Sequence, residues 1–276
     1  MSETRYHVGC QSWGYEDWVT PAGAPTVFYP RNTKHPEMLE LYSRVFDTIE
    51  VDATLYGVPV ESTVKKWYAE TPVGFSFSLK FPREVTHDRA LRGPSLQITR
   101  EFVDRASLLK EKLALFLIQF PAAFEPTDDN LNALRQYLRQ LPKGFQFAME
   151  FRNEGWFVDE VFEMLERSNV SLCLVEGKWV DREIMFRSAG RGNTDFRYIR
   201  IMGERDLPRF DRIYRHRDDV LDLWTEKIRT LPAGDVYIYS DNYFEGFAPA
   251  TVNKVLTRLG LPSRDPAVLE QQGSLF

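Results

Sequence analysis

The chain has 276 residues, 43% hydrophobic and 14% aromatic, with a formal net charge of −5 at pH 7. That is enough apolar material for one large core, and the length suits a single barrel of about 250 residues with a short tail. The acidic balance excludes a generally basic nucleic-acid binder, so any such contact needs a local basic patch. Two cysteines, Cys10 and Cys173, lie inside apolar runs and read as reduced, buried thiols of a cytoplasmic protein.

The polar start, Met1 to Tyr6, does not resemble a signal peptide and leads into a first predicted strand, Tyr6–Cys10. A long aromatic loop follows, Gln11 to Pro30, then a helix over Pro36–Arg44 and a strand over Thr48–Asp52. A second helix starts near Glu61 and ends before Thr71-Pro72, with Ser62 or Thr63 as its cap. Strand three is Phe75–Lys80, and a polar loop to Gln97 carries Thr86-His87-Asp88-Arg89. Helix three is Ile98–Lys110 and strand four Leu113–Gln119, whose apolar run is far too short to span a bilayer. Helix four shows Leu131, Leu134, Leu138 and Leu141 at helical spacing. Strand five is Phe145–Glu150, helix five Phe157–Arg167 and strand six Ser171–Glu176. From Gly177 to Asp195 no helix is evident, so the sixth connection is expected to be irregular. Strand seven (Phe196–Ile201), helix seven (Asp218–Thr230), strand eight (Val236–Ser240) and helix eight (Pro249–Leu259) complete the pattern. The reading is one domain, 1–261, with a polar and mobile tail over 262–276.

The apolar runs stop at Gln11, Asp52, Lys80, Gln119, Glu150, Glu176, Arg200 and Asp241. Parallel strands are buried on both faces and carry charge only where they leave the core, so this predicts a (β/α)8 TIM-type barrel with its chemistry at the C-terminal rim. Strand parity sets Glu50 with Asp52, Lys80 with Ser76 and Ser78, Glu150 with Arg152, Arg200 with Tyr198, and Asp241 with Tyr239. Faces turned inward would bring charges of both signs to one mouth.

Several segments resemble the YecE-like family, a domain of unknown function with a TIM-type barrel. They are Val8-Gly-Cys-Gln-Ser-Trp-Gly-Tyr15, Phe28-Tyr-Pro30, Phe46 to Tyr56 and Phe77-Ser-Leu-Lys80, then Thr86-His87, Gln119-Phe-Pro121, Met149-Glu-Phe-Arg152 with Trp156, Tyr198-Ile-Arg200, and Asp241-Asn242 to Ala248. The resemblance covers nearly the whole chain and implies the fold but no activity. Asp52 and Met202 depart from it, since the family often has Asn and His there; the second takes an imidazole from strand seven.

The candidate catalytic residues are Glu50, Asp52, His87, Glu150 and Asp241. Paired carboxylates can act as acid and base or hold Mg²⁺ or Mn²⁺ through hard oxygen ligands, and a rim histidine can move protons. Lys80, Arg152 and Arg200, from three strands, suit an anion such as phosphate, with Gln11, Trp13, Tyr56, Gln119, Trp156 and Asn242 completing the candidate binding set. The competing reading is structural: the cations neutralise the acids in a buried network, and the aromatics plug the mouth. With four histidines and no HExxH or CxxC spacing, a many-histidine zinc hydrolase is not indicated.

The last five residues, Gln272-Gly-Ser-Leu-Phe276, resemble the short peptide by which bacterial replication and repair proteins bind the DNA sliding clamp, with Leu275 and Phe276 as apolar anchors and Gln272 as a polar latch. Gly273 stands where that motif usually has a larger apolar residue. The resulting expectation is a hydrolase of phosphate esters or nucleic acid recruited to the clamp. The alternatives are a glycoside hydrolase using paired carboxylates and a non-catalytic DNA- or ligand-binding factor.

Overall fold

The structure is a computed structural model and describes residues 4–191 and 195–269. Eight parallel strands close into a barrel in chain order: β1 (Arg5–Gln11), β2 (Thr48–Val51), β3 (Ser76–Lys80), β4 (Leu113–Gln119), β5 (Phe147–Glu150), β6 (Val170–Glu176), β7 (Phe196–Ile201) and β8 (Asp235–Ser240). β8 returns to β1 with Tyr6 opposite Val236, which completes the ring. Each strand ends within one residue of the polar stop read from the sequence, because the burial that demands apolar side chains ends where the strand reaches the rim.

The outer helices are α1 (Met38–Val45), α2 (Glu61–Glu70), α3 (Ser95–Ala106), α4 (Asp128–Leu138), α5 (Asp159–Arg167), α6 (Arg182–Ser188), α7 (Asp218–Arg229) and α8 (Ala248–Arg258). Each lays an apolar stripe on the sheet; α7, for example, buries Val220, Leu221, Trp224 and Ile228. The sixth connection is less irregular than expected. It holds α6, started by Asp181, whose side chain accepts the Glu183 N–H at 2.7 Å. Helix three also stops earlier than expected, at Ala106, and a 3-10 stretch, Ser107–Lys112, leads into β4.

The barrel interior is polar near its middle. Tyr239 Oη lies 2.6 Å from Thr48 Oγ1 and 2.9 Å from Ser78 Oγ, and Ser76 Oγ donates to Thr48 Oγ1. Strand parity therefore points the way the sequence implied, with Ser76, Ser78, Tyr198 and Tyr239 turned inward. Gly9 permits the close approach of β1 to β2: a Cβ there would lie 2.2 Å from the Thr48 carbonyl oxygen.

Part of the segment expected to be mobile packs against the barrel. Asn253 Nδ2 donates to the Arg264 carbonyl, Arg264 pairs with Asp47, and Leu269 is buried. Gln272, Leu275 and Phe276 lie outside the described residues. No helix among the described residues is long and apolar enough to cross a membrane.

Candidate functional site at the barrel rim

Arg200 organises the mouth. It leaves β7 with no exposed surface and reaches two acids at once. Its Nε and Nη2 donate to Glu50 at 2.9 and 2.7 Å, and its Nη1 donates to Glu150 at 2.5 Å. Tyr198 Oη donates to the same Glu50 at 2.6 Å, and Arg152 Nε donates to the second oxygen of Glu150 at 2.7 Å. Burial pushes the Glu150 carboxyl up, but Arg200, Arg152 and Lys80 outweigh it and hold it down at about 2.

A second pair sits nearer solvent. Lys80 Nζ donates to Asp52 Oδ1 at 2.8 Å, with side-chain exposures of 7% and 26%. Burial raises Asp52, yet Lys80, Arg200 and Arg205 outweigh it and leave it below the ordinary carboxylate range. Glu176 is tied three ways, to Arg182 at 2.7 Å, to Arg217 at 3.1 Å and to Trp224 Nε1 at 2.7 Å.

Asp241 differs from these four acids. No cation lies within ion-pair distance among the described residues, and its Oδ1 accepts the N–H groups of Gly203 at 3.0 Å and Phe244 at 2.9 Å. Burial pushes its carboxyl up to about 7, against the pull of those N–H groups and of Arg200, while Glu50 adds to the rise. Gly203 makes this cradle possible, since a Cβ would fall 2.0 Å from the Tyr243 carbonyl. The phenol of Tyr15, which donates to the Gln11 carbonyl at 3.4 Å, is raised by burial and then by the charges of Asp241 and Asp52.

His87 stands on a π-helical turn, Glu84–Asp88, with Thr86 Oγ1 at 2.8 Å from its Nδ1. Burial lowers its pKa, and Lys80, Arg83 and Arg152 lower it further, with only Asp88 opposing. The ring is therefore neutral at pH 7 in a cationic neighbourhood.

The family model for "Protein of unknown function DUF72" matches residues 7–273. The chain belongs to the DUF72 family. The UPF0759 protein YecE of Escherichia coli K12 is 32% identical over 151 residues, which is 55% of this chain and only half the length of that relative. The UPF0759 protein YunF of Bacillus subtilis 168 is 24% identical over 92% of this chain and 95% of its own. A DUF72 family protein from Enterococcus faecalis V583 superposes with a TM-score of 0.71 at 18% identity, covering 95% of this chain and all of that one, which shows the shared barrel.

In this DUF72 chain the structure divides the candidate residues. Glu50 and Glu150 are brought together, but both oxygens of each are engaged by Arg200, Tyr198 or Arg152, so neither is placed to activate water. Trp156 is 1% exposed, stacks on Phe124 and Phe151 and donates to the Phe124 carbonyl; it packs the loop instead of facing a ligand. Asn242 is anchored through Oδ1, which accepts from Trp18 Nε1 at 3.2 Å and from the Ala248 N–H at 2.9 Å, while its buried Nδ2 has no partner among the described residues and keeps its donors free. Gln119 is buried and bonds the Phe120 carbonyl, Gln11 is buried, and Trp13 is buried edge-on against Trp67. Tyr56 is 80% exposed and lines a rim hollow of about 450 Å³ with Arg83 and Asp88.

Tyr15 and Trp179 follow strand ends in the sequence, where aromatics suit stacking on a ligand, and Trp179 is exposed and 5.5 Å from the Arg152 guanidinium. Arg205, exposed on the loop after β7, bears on Asp52 and is marked by no strand stop. The cleft between Arg152 and Trp179 holds about 10 Å³, room for roughly one water. Hollows of about 490 and 450 Å³ open at the other end of the barrel, similar in size to the one at the rim beside Tyr56, whereas the buried ionisable groups sit at the rim. Among the described residues one group has metal-ligand spacing, His216, Asp218 and Glu245, and the Lys254 ammonium already bridges its two carboxylates at 3.0 and 2.8 Å. The rim acids proposed for Mg²⁺ or Mn²⁺ do not form such a group.

Proposed function

We propose that the rim binds a phosphate-bearing substrate, either a small ester or nucleic acid, and hydrolyses it by acid–base catalysis. The observation that carries this reading is the division among the strand-end carboxylates: four are tied to cations, while Asp241 has none and burial raises it to about 7, so that a substantial fraction carries a proton near neutral pH. Lys80 and Arg152, each paired with one acid, supply the affinity for an anion through the N–H groups those pairs leave over. In the step proposed, water adds to phosphorus as the bond to the leaving oxygen breaks. His87, neutral, takes the proton of the water through Nε2, and Asp241 gives its proton to the leaving oxygen; solvent then restores both groups. Lys80 and Arg152 hold the non-bridging oxygens.

Turnover of p-nitrophenyl phosphate and bis(p-nitrophenyl) phosphate by the full chain tests this, with chelator and with added Mg²⁺ or Mn²⁺. Lys80→Met is expected to lower kcat/KM about 100-fold, the loss of ~3 kcal/mol of anion stabilisation. No turnover of either ester ends the reading, and turnover of aryl glycosides in its place moves the site to the paired-carboxylate alternative.

The clamp contact is a separate proposal and rests on sequence. Removing Gln272 to Phe276 is expected to abolish binding to a bacterial sliding clamp in surface plasmon resonance and to leave ester turnover unchanged. Equal clamp affinity with and without the segment refutes it.

A further inference from the structure

The hollow of about 490 Å³ lies at the end of the barrel away from Asp241, where α4 turns into β5 and α5 into β6. Its floor is apolar and half-buried: Leu141, Phe145 and Met164. Its edges carry Arg135, Arg139, Lys143 and Arg167, and no acidic residue lines it. Arg135 and Arg167 are already engaged by Glu160 and Glu163 at 2.8 and 3.0 Å. Arg139 and Lys143 are exposed and make no ion pair among the described residues. A concentration of positive charge around an apolar floor is unexpected on a chain of net charge −5.

We propose that this groove docks an acidic segment of a partner protein that inserts a leucine- or phenylalanine-sized side chain. Charge complementarity selects the acidic flank, and the apolar floor needs an anchor that a phosphate backbone does not offer. Nucleic acid would track a basic stripe, whereas here the cations ring a concave hollow of about 490 Å³ with an apolar floor, room for a short peptide segment with its anchor side chain. The position leaves the rim open, so docking and rim chemistry are independent.

The probe is a short fluorescein-labelled peptide rich in Asp and Glu with one Leu and one Phe, followed by anisotropy at low salt with the full chain. Reversing the exposed pair, Arg139→Glu with Lys143→Glu, is expected to weaken binding about tenfold or more, equivalent to at least ~1.4 kcal/mol. Replacing the Leu and Phe of the peptide by Ala is expected to do the same. An unchanged melting temperature and near-ultraviolet circular dichroism spectrum show that the reversed chain is folded. The proposal is overturned by any of these: no binding of the probe to the parent chain, no change on charge reversal, equal binding of the Ala peptide, or tighter binding of a single-stranded oligonucleotide at the same residues.

Discussion

Replacing Arg200 with methionine is expected to cost about 3–5 kcal/mol of folding stability at pH 7, read from urea unfolding and from a melting temperature lowered by about 10 °C. The size follows from what the guanidinium holds. Glu50 and Glu150 have no exposed surface, and Arg200 supplies three of the hydrogen bonds that neutralise them. Methionine fills the volume and leaves Glu50 with only the Tyr198 hydroxyl. The pH dependence has a definite sign. In the parent chain Glu150 is depressed from 4.5 to about 2, so its contribution is present above pH 4.5 and is lost as pH falls through about 2. In the variant a buried carboxylate without its cation is protonated instead of paired, so the deficit is largest near neutrality and narrows on acidification toward pH 5. Adding Glu50→Gln and Glu150→Gln should recover most of the loss. If the single variant stays within about 1 kcal/mol of the parent at pH 7, the network is not what holds the mouth.

The framework of this mouth is legible in sequence because it follows from strand parity. Glu150 and Arg200 end buried runs, and Glu50 shares its face with Asp52, which ends another, so all three must turn inward, which is where they are found. Their pairing is not legible, since strand ends fix direction but not which acid a flexible guanidinium reaches. α6 escaped notice because it has seven residues and buries only Met185 and Ser188, too few for a helical period to show. Its start did carry a signal, the capping Asp181. Trp156 misleads in the opposite way: an aromatic residue just past a strand end looks like a ligand contact, yet its Nε1 closes the loop onto the Phe124 carbonyl. The distinctive state of Asp241 comes from burial without a cation, and the carboxyl is held in place by the backbone N–H of Gly203 in another loop, a contact that no local pattern announces.

Asp241→Asn separates a catalytic role from a structural one. The amide can still accept the Gly203 and Phe244 N–H groups, so the loop geometry should survive. Without a proton to give, kcat is expected to fall about 100-fold or more, most for esters with poor leaving groups. The parent chain should lose activity about tenfold per pH unit above pH 7, where Asp241 ionises, and the variant should lack that limb. Stability is expected to move the other way. A carboxyl raised from 3.8 to about 7 makes its full contribution below pH 3.8, and that contribution is lost progressively as pH rises to about 7. Above that the parent buries an unpaired charge, worth up to roughly 4 kcal/mol by linkage, and the neutral amide does not. The variant should therefore unfold later than the parent at pH 8 to 9 and lose most of that advantage near pH 4. A group kept at a cost to the fold and needed for turnover is a functional group. If kcat is unchanged, or if the variant is the less stable chain at alkaline pH, Asp241 is a loop anchor and the acid must be sought elsewhere on the rim.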